Sequence, residues 1–468
     1  MKFQMKEKNK LRIISLGGFG KVTQNMFVYE LSTGKYDKDI LLVDCGVGFP
    51  SQGSKGGDLL TSDVSYLYPF KKNIRGLILT HGHEDHMGGL PFILPQIGQN
   101  IPIYASRLTA ALAKEKLAEF NINARINLIN TNQKLNLGPF SLEFVYVTHS
   151  IPDTLNLAIH TPLGTIFHAS DFKFDWTPPL GKQTQVGKIA LIGNQGVLCL
   201  LSDCLRSEKM GYTLSEMVVE DSLEREMRGC SGKVLITTMS SNVSRWQQAV
   251  NVSLRYGRKI ALAGFSIEKI VEIATRLGYL KIPQGSLIKL GKVKKLPPNQ
   301  VSIFVAGSQG QEESALTRVA AGSHRSLKIN PGDKVIFSTD YIPGNELAIH
   351  GLIDQLSRLG ADVSYSEILD DLHVSGHAAQ AELALMINLI RPQYLVPIGG
   401  AFRQMKQYSL LAQRIGYQER QIVLADGGEV IEIFPRGKLR KGLPVQIRSN
   451  LVDSRQEMNA PRQKKKTF

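Results

Sequence analysis

Short runs of aliphatic and β-branched residues recur through the first 200 positions, and each run ends in small or polar side chains. The clearest runs are ILLVDCG (40–46), GLILTHG (76–82), FVYVTHS (144–150) and TIFHASD (165–171). A continuous apolar run bounded by polar residues is typical of a strand buried in a sheet. The pattern therefore predicts strands that deliver polar side chains to one rim of a sheet, with a helix near Leu108–Phe120.

The middle of the chain, from about Asp203 to Ser366, has a different pattern, in which apolar runs alternate with amphipathic segments. The strand-like runs are VLITT (234–238), KIALAG (259–264) and VSIFVAG (301–307), and the helical segments are 243–255 and 268–277. Strands that alternate with helices are typical of a parallel sheet with helical crossovers. This stretch is therefore predicted to be an α/β unit of its own.

The last stretch returns to the strand endings of the first. It contains predicted helices at Ala378–Ile390 and near Met405–Ile415, and the strand-like runs YLVPIGG (394–400) and IVLADGGEVIEIF (422–434). Because these endings resemble those of the first stretch, we predict one domain that is interrupted by another.

Composition narrows the class of protein. The chain has 468 residues, of which 43% are hydrophobic and 21% are charged, which excludes a disordered chain and predicts two or three folded domains. No run approaches the ~18 apolar residues that a spanning helix needs, and the glycine-broken start lacks a secretory signal, so we expect no membrane segment and a cytoplasmic protein. The four cysteines show no CxxC pair and are interpreted as reduced residues: Cys45, Cys199, Cys204 and Cys230.

The charge of the chain is strongly positive and uneven. The net charge is +15, and +8 of it lies between Arg436 and Phe468, where ten Lys or Arg accompany two acids. A basic segment of this kind favours a polyanionic partner, and the alternative is a solubilising tail that ends in the lysines 464–466.

The strongest chemical signal is the segment THGHEDH (80–86), which directly follows the apolar run 76–79. Three imidazoles and a carboxylate at HxHxDH spacing offer four ligands for divalent cations, and a strand-to-helix turn allows alternate residues to converge on different metals. The predicted ligands in this segment are His81, His83, Asp85 and His86. We interpret the segment as a metal site.

A centre with two metals needs ligands from neighbouring strand ends as well. His149 closes one apolar run and Asp171 closes another. A carboxylate can bridge two cations with its two oxygens, so Asp171 suits a bridging place. Asp44, at the end of a third run, is expected to orient the ligands through hydrogen bonds.

The order of HxHxDH, a later histidine and a later aspartate resembles the metallo-β-lactamase superfamily. Further motifs resemble its β-CASP branch, and within it ribonuclease J: HSIPD (149–153), DFKFD (171–175), GSQG (307–310), IPGNE (342–346) and HVSGHA (373–378). The resemblance covers roughly residues 10–434. It implies a metallo-β-lactamase αββα sandwich, interrupted by an inserted β-CASP α/β domain with a parallel sheet. The implied bounds are 1–204 and 367–434 for the sandwich, 205–366 for the insert and 435–468 for a basic C-terminal tail.

The resemblance also implies roles for individual residues. The first metal would be held by His81, His83, His149 and Asp171, and the second by Asp85, His86 and Asp171. The implied catalytic residues are Asp85 and His377, the latter as general acid or as a stabiliser of the phosphate. Asp203 matches the acidic residue at the boundary of the insert.

Two loops of small residues are predicted to bind the substrate, because their backbone amides and hydroxyls can approach phosphates closely. They are His373, Val374, Ser375, Gly376 and His377, and Ser240, Ser241 and Asn242. The alternative for both loops is ordinary turn chemistry.

The activity implied by the resemblance is metal-dependent hydrolysis of RNA, as an endonuclease and as a 5′-to-3′ exonuclease that prefers a 5′-monophosphate. The implied cofactors are two divalent ions, zinc with manganese as the alternative, and the implied partners are single-stranded RNA and further copies in a homodimer or homotetramer. A small-molecule hydrolase is a weaker alternative, and DNA as the substrate stays open.

The chain departs from the family at one ligand. Where ribonuclease J has a metal-binding histidine 22 residues after the position of His377, this chain has Gly399, and no histidine follows. We therefore expect the second metal to bind more weakly than the first. The alternative function is a catalytically impaired paralogue that acts as an RNA-binding or regulatory subunit. Ribonuclease J usually continues into a further small domain, whereas here we expect only an extended tail that contacts RNA or another protein.

Overall fold

The computed structural model describes residues 9–33, 38–50, 57–342 and 344–454. Pro343 of the IPGNE motif and the lysines 464–466 of the predicted tail lie outside these residues. Among the described residues, every helix is too short or too polar to span a bilayer.

The described residues form 23 strands and 11 α-helices. In chain order the strands are β1 (Asn9–Gly17), β2 (Met26–Thr33), β3 (Lys38–Val43), β4 (Val47–Gly48), β5 (Leu59–Ser62), β6 (Ile74–Leu79), β7 (Ile103–Ala105), β8 (Ile126–Leu128), β9 (Leu135–Leu137), β10 (Phe140–Tyr146), β11 (Leu155–Thr161), β12 (Gly164–Ala169), β13 (Cys199–Asp203), β14 (Val234–Thr237), β15 (Lys259–Ala263), β16 (Leu287–Ile288), β17 (Val301–Val305), β18 (Lys334–Phe337), β19 (Asp362–Ser364), β20 (Tyr394–Ile398), β21 (Val430–Phe434), β22 (Lys438–Lys441) and β23 (Ser449–Val452). The helices are α1 (Glu84–Met87), α2 (Leu90–Ile97), α3 (Arg107–Glu119), α4 (Val186–Asn194), α5 (Val218–Met227), α6 (Val243–Arg255), α7 (Phe265–Arg276), α8 (Ala315–Ala320), α9 (Glu346–Arg358), α10 (Gln380–Ile390) and α11 (Phe402–Arg414). Short 3-10 helices lie at Ser65–Asn73, Leu290–Lys295, Pro298–Gln300, Asp370–Leu372, Glu419–Gln421 and Pro435–Gly437.

Two sheets pack face to face to make a sandwich. One has eight strands in the order β22-β21-β1-β2-β3-β6-β7-β8, and the other has six in the order β20-β13-β12-β11-β10-β9. Buried apolar residues of both sheets form one core, in which Phe27 and Leu41 of the first sheet lie with Phe144 and Leu157 of the second. Helices α2 and α3 cover the outer face of the first sheet, and α4, α10 and α11 cover that of the second.

A third sheet lies between the two parts of the sandwich in the chain. Its six strands run in the order β16-β15-β17-β14-β18-β19, and every pair is parallel. The strands before and after this insert, β13 and β20, are parallel neighbours in the six-stranded sheet. The predicted fold class, an αββα sandwich interrupted by an α/β domain with a parallel sheet, is therefore confirmed, while the numerical bounds of the domains stay predictions.

Some predicted elements have the expected bounds in the structure, and others do not. Helix α6 has the predicted bounds, and its first turn is capped by the Asn242 side chain, which accepts a hydrogen bond from the Arg245 amide. The strand-like run 422–434 forms a strand only over Val430–Phe434. The preceding turn breaks it, because the Asp426 amide donates to Glu429 and Gly428 has a φ of +83°.

The segment after Phe434 was expected to be an extended tail, and its described part is built into the sheets instead. Strand β22 pairs with β21, and β23 pairs with β5. Two of its basic side chains are also held by acids, since Arg440 lies 3.1 Å from Glu432 and Lys441 lies 2.8 Å from Glu429. Part of the positive charge of this segment is therefore neutralised within the fold, by Glu432 and Glu429.

Candidate metal centre

The HxHxDH segment lies at the rim of the sandwich, where β6 ends. Asp44 follows the neighbouring strand β3 and has a φ of +61°, which turns its carboxylate toward this segment. Asp44 Oδ1 accepts a hydrogen bond from the Thr80 amide at 2.8 Å, and Asp44 Oδ2 lies 2.8 Å from His86 Nδ1. The role expected for Asp44, to orient ligands, is consistent with these contacts.

The structure brings four predicted ligands together in what we call the first cluster: His81, His83, His149 and Asp171. His83 Nδ1 lies 3.1 Å from both His81 Nε2 and His149 Nε2. Asp171 Oδ2 lies 3.6 Å from His81 Nε2 and 3.5 Å from His149 Nε2. Tetrahedral zinc with Zn–N distances of about 2.0–2.1 Å places its ligand atoms roughly 3.3 Å apart, so the donors of this cluster fit such an ion.

The protonation of these imidazoles also suits a metal. Burial, together with the nearby imidazoles, holds the pKa values of His81 and His83 well below their usual range. Burial likewise lowers the pKa of His149 to about 4, although Asp171 opposes the shift. Neutral imidazoles keep the lone pairs that a cation needs, and metal ligation requires that form.

In His149 and His81, a contact made by Nδ1 determines that the other ring nitrogen, Nε2, faces the first cluster. His149 Nδ1 donates to the Gly376 carbonyl oxygen at 2.8 Å, which leaves Nε2 toward the cluster. A Cβ at Gly376 would lie 2.6 Å from His149 Nδ1, so only glycine allows this approach. His81 Nδ1 lies 3.0 Å from the Thr80 hydroxyl oxygen, which also leaves its Nε2 toward the cluster.

The second cluster consists of Asp85, His86 and Asp171. His86 Nε2 lies 3.5 Å from Asp85 Oδ2 and 3.4 Å from Asp171 Oδ2. Burial by itself would lower the pKa of His86, and the surrounding carboxylates raise it well above the usual value instead. This negative surrounding favours a cation at the cluster. Asp171 belongs to both clusters, as a bridging carboxylate would.

His377 and Asp203 form a pair beside both clusters. His377 Nδ1 donates to Asp203 Oδ2 at 2.8 Å, and its Nε2 lies 3.9 Å from Asp171 Oδ2. Burial alone would lower the pKa of His377, but the two carboxylates outweigh burial and raise it to about 9. His377 therefore carries a proton at neutral pH, with its Nε2 directed toward the clusters.

The two predicted substrate loops differ in where they lie. The 373–377 loop borders the clusters through Gly376 and His377, whereas the Val374 side chain is buried in the apolar core and leaves only its backbone for a ligand. In the 240–242 loop the Asn242 side chain caps α6, and Ser240 Oγ lies 2.9 Å from Ser266 Oγ. Ordinary turn chemistry accounts for the contacts of the second loop, and its binding of substrate stays a prediction.

Gly399 lies directly after β20, with a φ of +66°. Its amide donates to the Gly18 carbonyl oxygen at 2.9 Å. A Cβ at this position would meet only Asp203 Oδ1, at 3.8 Å. A Cβ at position 399 therefore has room beside Asp203, and this chain has none there.

Sequence reasoning missed Asn25 and the part played by Thr80. Asn25 is 2% exposed, and its Nδ2 lies 3.1 Å from His86 Nε2. Its backbone amide also donates to the Asp85 carbonyl oxygen at 2.9 Å, so the strand β2 is fastened to the HxHxDH segment. Neither residue stands in a recognisable metal-ligand spacing, and the only signal was a polar residue beside a glycine-rich turn or beside a ligand.

Three family models match successive parts of the chain. A model of the beta-lactamase superfamily domain matches residues 40–195, a model of the ribonuclease J beta-CASP domain matches residues 231–356, and a model of the Zn-dependent metallo-hydrolase RNA specificity domain matches residues 366–422. Their order along the chain is the order of the sandwich, the insert and the return to the sandwich.

Known proteins match over most of the chain. Ribonuclease J 1 of Streptococcus pyogenes serotype M3 is 39% identical over 427 residues, which cover 91% of this chain and 75% of that protein. Ribonuclease J2 of Bacillus subtilis is 38% identical over 453 residues, covering 96% and 80%, and ribonuclease J of Thermus thermophilus is 40% identical over 430 residues, covering 90% and 74%. A solved structure of a protein of unknown function from Enterococcus faecalis V583 has a TM-score of 0.63 at 15% identity and covers 91% of this chain and all of that one, which supports the fold alone.

Proposed function

This chain belongs to the ribonuclease J family, a family of hydrolytic nucleases, and on that premise we propose that it hydrolyses single-stranded RNA both internally and from the 5′ end. We further propose that it prefers a 5′-monophosphate and acts in the cytoplasm as a homodimer or homotetramer. The observation that carries the proposal is the convergence of two ligand clusters on one shared carboxylate, Asp171, beside the hydrogen-bonded pair of His377 and Asp203.

The ligand sets suggest what each cluster would hold. The first cluster offers three nitrogens and one oxygen, which suits zinc, and the second offers one nitrogen and carboxylate oxygens, which manganese also accepts. When bound, two such cations acidify a water molecule and polarise a phosphate oxygen. Gly399 contributes no donor, so we propose that the second cluster binds its cation more weakly.

The side chains of this chain then have distinct tasks. Asp171 and the neutral imidazoles of the first cluster would hold the first cation. Gly376 orients His149 of that cluster, and Asp44 orients His86 of the second cluster. Asp85 would hold the second cation through its carboxylate, and burial raises the pKa of that group to about 6. His377 holds a proton at Nε2 that can pass to the departing 3′ oxygen, a contribution typically of about 10² to 10⁴ in rate. Addition of water across the P–O3′ bond leaves a 5′-phosphate and a 3′-hydroxyl.

The test measures metal content and cleavage in parallel. Protein loaded with zinc, with manganese or with both is analysed for bound metal and given 5′-monophosphorylated, 5′-triphosphorylated and circular RNA of one sequence. Cleavage of circular RNA reports internal cutting, and faster loss of the monophosphorylated RNA reports the 5′ preference.

Variants of the centre complete this test. We expect His83→Ala and Asp85→Ala to abolish cleavage while the far-UV circular dichroism spectrum is kept. The matched control is His160→Ala, because His160 is partly exposed and pairs with Glu143 at 3.0 Å, outside both clusters. Salt-sensitive RNA binding with no cleavage in any metal would instead favour the impaired, RNA-binding paralogue.

A further inference from the structure

Four charged side chains are buried together where the interrupted domain meets the insert, outside the two metal clusters. They are Lys173, Asp175, Glu216 and Arg245. Arg245 is 0% exposed and Lys173 is 1% exposed. Charged side chains are seldom buried to this extent without partners, because removing a charge from water is costly. The contacts of this buried charge cluster therefore show which segments of the chain it joins.

On one side the buried charge cluster contacts the connections that carry metal-binding residues. Lys173 lies two residues after Asp171, and its Nζ donates to the Leu214 carbonyl oxygen at 3.1 Å and lies 3.8 Å from Glu216 Oε2. The Thr148 hydroxyl, directly before a histidine of the first cluster, donates to the Lys173 carbonyl oxygen at 2.6 Å. This side of the cluster is thus fastened to the metal centre.

On the other side a single guanidinium joins three segments. Arg245 Nη2 donates to Glu216 Oε1 at 2.5 Å, and Nη1 donates to the carbonyl oxygens of Ser338 at 2.8 Å and Leu372 at 3.1 Å. The Ser338 hydroxyl also donates to the Leu372 carbonyl oxygen, at 2.6 Å. Leu372 directly precedes the 373–377 loop, so Arg245 holds the start of that loop.

We propose that Arg245 is a positioning residue that sets the start of the 373–377 loop against the metal centre, so that RNA is aligned for cleavage. A planar guanidinium can serve Glu216 with one edge and two carbonyls with another, which a lysine ammonium cannot do. The far end of the loop is held separately, because the Thr213 hydroxyl donates to the His377 carbonyl oxygen at 2.7 Å. Loss of Arg245 should therefore shift the start of the loop and leave the metal ligands in place. The part of this inference that concerns RNA rests on the proposed function.

The first measurement needs no activity. Hydrogen–deuterium exchange of the peptide spanning residues 372–379 is compared among wild type, Arg245→Lys, Glu216→Gln and a control, Arg258→Lys. Arg258 is a buried arginine of the same domain, 2% exposed, which donates to the carbonyl oxygens of Gly232 and Val301 at 3.0 Å each. We expect faster exchange of this peptide in Arg245→Lys and Glu216→Gln, and wild-type exchange in Arg258→Lys.

The second measurement separates alignment of RNA from the chemistry of the centre. Bis(p-nitrophenyl) phosphate has no flanking nucleotides for the loop to align, and its leaving group needs no general acid. We expect Arg245→Lys to lower kcat/KM for RNA by about 10²-fold while hydrolysis of the small diester changes by less than about threefold. Metal content and the thermal midpoint of each variant confirm that it is folded and loaded.

Each result bears on the proposal. Unchanged exchange of the 372–379 peptide in Arg245→Lys, or the same change in Arg258→Lys, would overturn it. A parallel loss of both substrates together with metal would overturn it as well, because Arg245 would then support the centre itself. If wild type cleaves neither substrate in any metal, the proposed function fails, and the exchange measurement alone still decides the position of the loop.

Discussion

Restoring a histidine at position 399 tests how much the missing ligand costs this chain. The backbone there has a φ of +66°, which an L side chain adopts at a cost of about 1–2 kcal/mol and which histidine tolerates better than most residues. The nearest atom to a Cβ would be Asp203 Oδ1 at 3.8 Å, so the Cβ itself meets no steric obstacle. The substitution Gly399→His therefore adds an imidazole at a small cost in conformational strain.

The expected magnitudes follow from the backbone strain at position 399 and from the added imidazole ligand. Without metal, Gly399→His and Gly399→Ala should each lose about 1 kcal/mol of unfolding free energy, because both carry the strain of the left-handed backbone. With metal, an added imidazole that reaches the second cluster should tighten the weaker cation by at least about tenfold, which equals about 1.4 kcal/mol. Only Gly399→His can gain this term, so Gly399→Ala is the matched control.

Isothermal titration of manganese into zinc-loaded protein measures the weaker site directly, and urea unfolding with and without metal measures the strain. We expect manganese to bind the second cluster more tightly in Gly399→His than in wild type, and no such increase in affinity in Gly399→Ala. Equal affinities of the two variants for the second cation would refute the reasoning, because they would show that a side chain at position 399 does not reach the second cluster.

Three further predictions concern the pair of His377 and Asp203, Trp246 in the insert, and the side-chain amide of Asn25. The pKa of His377 is raised to about 9 from 6.5. In chelator-treated protein its pair with Asp203 therefore adds stability that is present below about pH 6.5 and lost as pH rises through about 9. In urea unfolding, Asp203→Asn should lose more unfolding free energy below about pH 6.5 than above about pH 9, and an equal loss at the two pH values would contradict this. Trp246 is fully buried and stacks on Phe304 with 5.1 Å between ring centroids, so Trp246→Ala should cost about 3–5 kcal/mol in the same assay, and a loss well under about 1 kcal/mol would be inconsistent with that packing. Asn25→Ala should weaken the second cation by about tenfold in the titration and leave the first unchanged, because its side-chain amide lies 3.1 Å from His86 Nε2 and 3.5 Å from Asp85 Oδ2, both in the second cluster. A loss at the first cation would show a wider role.

The sequence by itself predicted the main strands and a set of candidate metal ligands, which the structure brings together. Apolar runs with polar ends are local features of the sequence, so they indicated the strands β3, β6 and β12 directly. The HxHxDH spacing is also a local feature, and it was sufficient to predict a metal site. The return of similar strand endings after residue 366 also predicted an interrupted domain, which the parallel pairing of β13 and β20 confirms.

Only the tertiary structure decided the contacts between segments that are distant in the chain. Asn25 lies near His86, and Arg245 lies near Leu372, because sheets and domains pack these segments together, and a short-range pattern holds no record of such neighbours. The structure of residues 435–454, the described part of the basic segment, was decided in the same way. Its composition suggested a free tail, but an unpaired edge at β21 and the acids Glu429 and Glu432 offered it hydrogen bonds and ion pairs that outweigh solvation of an extended chain.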